Sequence, residues 1–307
     1  RNGWKQWKGM VKVYLQRFWF VAAIATVLAR ENAIVVPIFG PDAQVYTESA
    51  EVLSKSLTAV GECLPRIAMV ERALPYLLQR RLEDAGFIVR RAHLDSAQVV
   101  QLQILAFNMT EYRQVLFLHA DTLVLRPLEG MFQRDISDIA AAPEIHSPDR
   151  FNSGVMVIRP SHRAYSQLQE RLHATRSPYD ADSFFNDFFP DWFVASPSHR
   201  LPLADNLPTV LSEVHPPSML QIMPAARIVH FWRLGDESQK PWDGVVTRKE
   251  PHPAVVYWHA LWAAYKVAPA GVDIHSQVRM DQDFRSVLAN LCGHDVVANV
   301  QVSVQGG

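Results

Sequence analysis

The sequence predicts an α/β protein built on a parallel-rich central sheet, and three observations carry that reading. Short apolar runs of strand length alternate with segments of helical apolar spacing. One run, Val115-Leu116-Phe117-Leu118, is apolar throughout and short enough for a fully buried strand. It ends abruptly in His119-Ala120-Asp121, and open α/β sheets take their ligands beyond the carboxyl ends of such strands.

Residues 1–30 stand apart as a basic, aromatic extension. They carry Arg1, Lys5, Lys8, Lys12, Arg17 and Arg30 without a single Asp or Glu, and Trp4, Trp7, Phe18, Trp19 and Phe20 are interleaved with these charges. The apolar run from Phe18 to Ala29 is shorter than the roughly 20 residues that span a bilayer. Three readings stand side by side. One is a signal anchor with basic residues on the cytoplasmic side, another an interfacial helix with snorkelling Lys and Arg, and the third a helix packed on this domain or on a partner protein. The segment is expected to be helical over at least Val11–Leu28 and to pack its aromatic side on a membrane or a partner protein subunit. The acid-free basic segment fits the secretory pathway or a mitochondrion, and an opening Arg1 fits a targeting segment lying upstream.

The main domain is expected over residues 31–268. Ala33–Phe39 reads as its first strand, followed by a turn at Gly40-Pro41-Asp42. Glu48–Leu57 has helical spacing, with Ala50, Leu53 and Leu57 on one face. Ile67–Val70 is a short strand, Leu74–Ala85 a helix stopped by Gly86, and Phe87–Arg90 another strand. Val99–Met109 is apolar with glutamines and leads into the central strand. Ile139–Ala142 suggests an edge strand, and Val155–Ile158 a strand ended by Pro160. Tyr165–Leu172 is helical, and a turn-rich loop precedes the aromatic run Ser183–Phe189. Arg227–Phe231 is a last strand carrying His230, Arg233–Trp242 a polar loop, and His252–Lys266 an aromatic helix. Residues 269–307 form a tail with weak patterning.

Composition narrows the function classes. A hydrophobic fraction of 49% and a charged fraction of 20% belong to a globular protein, and a net charge of −1 gives no footprint for nucleic acid. Cys63 and Cys292 are too few and too far apart for a metal cluster or a disulfide framework. The chemistry therefore falls to His119 and Asp121. Alternate strand residues point to the same side, so the two can share one ion. Alone, an H-x-D is most simply a polar strand end turning into a loop.

Four segments change that balance. EYRQVLFLHADTLVLRPLEGMF, FNSGVMVIRPS, ADSFFNDFFPDWF and HFWRLGDESQKPW occur in the order and spacing found in glycosyltransferase family 8, which includes glycogenin. The chain resembles that family from about Ala33 to Lys266. The resemblance implies a GT-A fold, a Rossmann-like nucleotide half merged with an acceptor half around a mixed, mainly parallel sheet. It also implies a nucleotide diphosphate-sugar as donor and a manganese ion (Mn2+) held by two carboxylates of a D-x-D motif and a later histidine. Asp121 matches the second carboxylate and His230 the histidine. Lys240 matches a phosphate-contacting lysine, and Gly235 lies in the glycine-containing loop before it. Asn152 and Ser153 match residues lining the donor sugar. Asn186 closes the D-Q-x-x-x-N segment. A metal ion and a lysine neutralise the charge that develops on a departing diphosphate.

The sequence departs from the family pattern at several points of this one site. His119 replaces the first Asp of D-x-D and brings no negative charge, whereas hard divalent ions favour carboxylates. One carboxylate with two imidazoles suits zinc or nickel better than manganese or magnesium. Gln103 stands where many members carry Lys or Arg. The D-Q pair maps onto Ala181-Asp182, which loses the Asp to Ala181 and turns the Gln into Asp182, unless a one-residue gap places Asp180 in the family's Asp position. Asp236 and Glu237 lie close to where phosphates would sit. Two functions are therefore expected. One is a catalytically degenerate glycosyltransferase fold serving as an accessory or structural subunit of a larger, membrane-bound assembly. The other is an active retaining hexosyltransferase with altered metal ligands, in which Asp182 beside the anomeric carbon acts as nucleophile.

Overall fold

The computed structural model describes residues 32–92, 99–175, 180–232, 240–243, 254–255 and 258–259. The basic extension, the loop with Gly235, Asp236 and Glu237, most of the expected 252–266 helix and the tail lie outside the described residues.

The six-stranded sheet contains β1 (Asn32–Ile38), β2 (Arg66–Glu71), β3 (Phe87–Ala92), β4 (Gln114–Leu118), β6 (Ile139–Pro143) and β7 (Phe151–Ile158), in the order β3-β2-β1-β4-β7-β6. The pairs β1–β2, β2–β3 and β1–β4 are parallel, and only β7 runs against its neighbours. The sheet is thus mixed and mainly parallel. β4 is central, and the strand at Ile139–Pro143 lies at the edge where the sequence puts it.

Strand alternation sends successive side chains into two separate cores. Ile34, Val36, Leu116, Leu118, Val155 and Val157 face one side, where α1 (Ala43–Ala59) supplies Ala50, Leu53 and Leu57 and α2 (Tyr76–Asp84) supplies Leu82. Ala33, Val35, Val115, Phe117, Met156 and Ile158 face the other. There α3 (Val99–Ala106), α4 (His162–Ala174) and α5 (Ala181–Phe188) cover them with Leu102, Ile104, Leu168, Phe184 and Phe185. Burial on both faces explains why all five residues of β4 and all eight of β7 are buried.

Helix ends follow local chemistry. Pro75 at the N-cap fixes the start of α2, and Gly86, at φ +91°, adopts a left-handed conformation that ends the chain's helical path. Ser161 caps α4 by accepting from the Ala164 N–H. Helix α1 begins at Ala43, five residues before the apolar face becomes visible in the sequence.

A second sheet contains the expected last strand, and its other two strands are too short to read from sequence. Its strands are β5 (Thr122–Val124), β8 (Leu207–Pro208) and β9 (Ile228–His230), in the order β5-β9-β8. It joins the chain just after His119-Ala120-Asp121 to the strand that carries His230. Two four- and seven-residue helices, α6 (Leu211–Val214) and α7 (Pro216–Ile222), close over it with Leu211 and Met219. Among the described residues no helix is long and apolar enough to cross a membrane.

Because Leu116 is fully buried in the central strand, Leu116→Ala is expected to cost about 2–5 kcal/mol. Urea unfolding should show a lower midpoint with an unchanged slope. A loss below about 1 kcal/mol would contradict a tightly packed β4.

Candidate metal centre and donor site

The turn after β4 is pinned on every side. The His119 N–H donates to the Gly154 carbonyl at 2.8 Å, which extends the β4–β7 ladder by one rung. Ser49 Oγ donates to the Ala120 carbonyl at 2.7 Å, and Thr122 Oγ1 to the His119 carbonyl at 2.7 Å. In the small sheet Thr122 lies opposite His230, and the Phe231 N–H donates to the Asp121 carbonyl at 2.9 Å. That register brings a histidine more than a hundred positions away against the Asp121 carboxylate.

His119, Asp121 and His230 each offer a ligand atom, and the three atoms lie within 4.8 Å of one another. His230 Nε2 is 3.4 Å and His119 Nδ1 4.0 Å from Asp121 Oδ1. The imidazole rings meet edge to face with centroids 5.6 Å apart. Both rings sit over Gly154. A Cβ at that position would overlap His230 Cε1 and lie 2.9 Å from His119 Nδ1 and 3.0 Å from His230 Nε2. Gly154 is thus the residue that lets the two imidazoles converge. Its φ is ordinary, so its signal in FNSG is steric space and not backbone freedom.

The donor atoms differ in readiness. His230 is 1% exposed, its Nδ1 is bonded to Asn206 Oδ1 at 3.0 Å, and its Nε2 is buried without a hydrogen-bond partner. A buried imidazole nitrogen without a hydrogen bond, 3.4 Å from a carboxylate oxygen, fits a cation shared between them. His119 is engaged differently. Gln103 Nε2 donates to the Ser153 carbonyl at 3.2 Å and lies 3.3 Å from His119 Nε2. In that orientation His119 accepts at Nε2 and turns its Nδ1–H toward Asp121. Ligation through Nδ1 requires the proton to move to Nε2 and the Gln103 amide to turn over, presenting its unpartnered Oε1.

The Asp121 carboxylate already faces a cation. Lys240 Nζ lies 2.5 Å from Asp121 Oδ2 and donates to the Phe231 carbonyl at 2.8 Å. Burial pushes the Asp121 carboxyl up, but Lys240 and His230 outweigh it and hold it well below the usual range. Burial pushes His119 the other way, down to about 4 against the opposing pull of Asp121, so its imidazole is neutral at pH 7. The Tyr46 phenol, which the sequence did not single out, is raised by burial and by Asp121, and its ring lies between Phe39 and Trp242 at centroid distances of 5.8 and 5.9 Å.

The second cluster surrounds Asp182. Ser153 N–H and Oγ–H both donate to Asp182 Oδ1 at 2.6 Å, and Asn152 Nδ2 donates to Oδ2 at 3.0 Å. The two aspartates of this loop have different surroundings. Asp180 is exposed and caps α5 by accepting from the Ser183 N–H at 2.9 Å, so Asp182 is the carboxylate that reaches β7. Asn186 accepts from the Phe151 N–H at 2.9 Å and donates to the Phe151 and Asp182 carbonyls at 2.8 Å each. Its amide is fully engaged in fastening α5 to β7. Gly235 lies outside the described residues.

No protein-family model matches the chain. In sequence it is 29% identical over 223 residues to glycogenin-1 of Caenorhabditis elegans, covering 65% of this chain and 48% of that protein. It is 30% identical over 214 residues to glycogenin-2 of Homo sapiens, covering 65% of this chain and 42% of that protein. The chain thus spans less than half the length of these relatives. In structure it is similar to the glycosyltransferase GlyE of Streptococcus pneumoniae, with a TM-score of 0.56 at 18% identity, over 77% of this chain and 63% of that one. It is also similar to the galactosyltransferase LgtC in complex with donor and acceptor sugar analogues, with a TM-score of 0.52 at 14% identity, over 78% and 98%. The fold is therefore that of the GT-A glycosyltransferases. Within that class the chain is glycogenin-like and resembles glycosyltransferase family 8 in both sequence and architecture.

Gly154→Ala should force the imidazoles apart. Overpacking of this kind costs about 1–3 kcal/mol, and the expected result is a lowered melting midpoint together with loss of divalent-ion affinity. An unchanged affinity would mean that the two rings need not converge.

His119 also gives the metal-free protein a pH signature. Its folded value, about 4, lies below the ordinary 6.5, so between these values the unfolded state binds more protons. Its contribution to stability is complete above about 6.5, falls as pH drops toward about 4 and is flat below. Denaturant midpoints across this window should show a slope that His119→Gln reduces. Equal slopes in both proteins would refute a neutral His119.

Proposed function

We propose that this chain is a metal-assisted, nucleotide-sugar-dependent glycosyltransferase, a retaining hexosyltransferase in which His119 stands in for the first carboxylate of the usual pair. The observation that carries the reading is the buried, unpartnered Nε2 of His230 beside the Asp121 carboxylate. An apolar or already satisfied side chain would serve a purely structural role better, since an orphaned buried nitrogen costs about 1–3 kcal/mol.

Asp121 and His230 would hold the ion, with His119 as the third ligand once its proton moves to Nε2. A bound divalent ion would supply Lewis-acid neutralisation of the diphosphate leaving group. Lys240 adds a second positive charge beside Asp121 and is placed to pass from the carboxylate to a phosphate oxygen. Removing one electrostatic donor of this kind typically costs about 3–4 kcal/mol of transition-state stabilisation. Asp182 brings a carboxylate to the donor side of β7, where three donors fix its orientation. The same three bonds spread its charge and moderate its nucleophilicity, so its role is to face the positive charge of the sugar ring as the bond breaks. Asn152 and Ser153 set that carboxylate in place.

A second reading keeps a specific observation of its own. The Lys240–Asp121 pair and the Gln103–His119 contact together satisfy most of the site without any metal. A catalytically degenerate subunit, held in a larger assembly or at a membrane through residues 1–30, would have this arrangement.

Titration calorimetry with uridine and guanosine diphosphate sugars, with and without Mn2+ or Zn2+, separates the two. Metal-dependent binding that His230→Ala weakens at least about tenfold, with sugar release from the donor, is expected of the transferase. No binding of any donor with either metal would favour the accessory subunit, and His119→Asp should then restore Mn2+ affinity if the pocket is open.

A further inference from the structure

Asn206 lies outside every motif that the sequence brought forward, yet it joins the two clusters of the site. It is 3% exposed. Its Nδ2 donates to Asn152 Oδ1 at 2.9 Å and its Oδ1 lies 3.0 Å from His230 Nδ1. Asn152 in turn donates to Asp182 Oδ2 at 3.0 Å.

The direction of every proton in this chain follows from its end. An ionised carboxylate only accepts, so Asn152 must present its amide nitrogen to Asp182. Its Oδ1 then faces inward, and the Gly154 N–H confirms this by donating to it at 3.2 Å. A neighbour of that oxygen has to donate, which turns the Asn206 amide nitrogen toward Asn152. The Asn206 Oδ1 is left facing His230 Nδ1, which has to carry the ring proton. In the neutral ring the unprotonated nitrogen of His230 is then Nε2, the buried atom 3.4 Å from Asp121 Oδ1.

The backbone around Asn206 is fixed to the strand that carries His230. Leu207 and Pro208 pair with Val229 and His230, the Thr209 N–H donates to the His230 carbonyl at 2.9 Å, and the Arg227 N–H donates to the Ala204 carbonyl at 2.7 Å. The neighbouring Asp205 is ion-paired with the Arg227 side chain.

We infer that Asn206 is a positioning residue: it fixes the tautomer of His230 so that Nε2 offers its lone pair to the Asp121 site, and it ties that imidazole to the Asp182 carboxylate through Asn152. The inference deepens the metal-assisted reading and rests on it for its consequence, but the tautomer itself needs no metal. A hydrogen bond to the far nitrogen of a ligating imidazole orients the ring and raises its basicity, and its loss typically lowers metal affinity about 10–100-fold.

The test is long-range 1H–15N correlation of the histidine rings in the metal-free full chain, at a pH where the ring is neutral, followed by titration with Mn2+ or Zn2+ alone. Wild type should show His230 protonated at Nδ1. Asn206→Asp keeps an acceptor facing Nδ1 and should retain that tautomer. Asn206→Leu should shift His230 toward the Nε2–H form and weaken metal binding about 10–100-fold. A wild-type ring protonated at Nε2, or an Asn206→Leu protein matching wild type in tautomer and affinity, would overturn the inference. If Asn206→Leu does not fold, wild type and Asn206→Asp decide: Nδ1–H in both supports it and Nε2–H in either refutes it. Wild type with the Nδ1–H tautomer but no affinity for either metal would instead sink the metal-assisted reading and leave the role of Asn206 standing.

Discussion

The contact between β5 and β9 is the constraint on which the site depends. Thr122 opposite His230 is one rung of a sheet with strands of two or three residues, yet without it the two halves of the candidate centre would not meet. Such a sheet is too small to be stable alone. It persists because Leu123, Val229 and Phe231 are buried together with Leu207, Leu211 and Met223 in a third apolar cluster. The chemistry at Asp121 is thus held by hydrophobic packing on the far side of the backbone that carries it.

A second constraint is spatial. With Gly154 beneath them, the two rings close to 5.6 Å, and their nitrogens reach one carboxylate. Any side chain there would displace His230 first, since the added atom would overlap its ring. β7 therefore contributes three consecutive residues with two duties. Asn152 and Ser153 orient Asp182, and Gly154 makes room for the imidazoles.

Much of this was legible in the sequence, for reasons that can be stated residue by residue. β1, β4 and β7 were visible because strands buried on both faces are apolar without interruption. His119, Asp121 and His230 were visible because strand ends in an α/β sheet are where polar groups gather. β5 and β8 were invisible because two or three residues carry no period. Asn206 was invisible because a buried asparagine in a loop reads like a turn former. Gly154 lay in plain view within FNSG, but the space that a missing Cβ leaves appears only once the opposing strand is in place. The roles of Gln103 and Asn186 also needed coordinates. One amide faces His119 and the other is spent on the backbone of Phe151.

What remains is a balance of charge around Asp121. Among the described residues the Asp121 carboxylate already faces the Lys240 ammonium, which matches its charge. A divalent ion added to this arrangement would bring two more charges and would repel Lys240. Two carboxylates would absorb that excess, and His119 cannot. The phosphates of a donor can, because each diphosphate oxygen that meets the ion or Lys240 supplies the missing negative charge. On the metal-assisted reading metal and donor would each strengthen the binding of the other, with Lys240 leaving Asp121 for phosphate as they arrive. On that reading, replacing the first carboxylate by an imidazole would leave the ion held less tightly before the donor arrives than in a two-carboxylate centre.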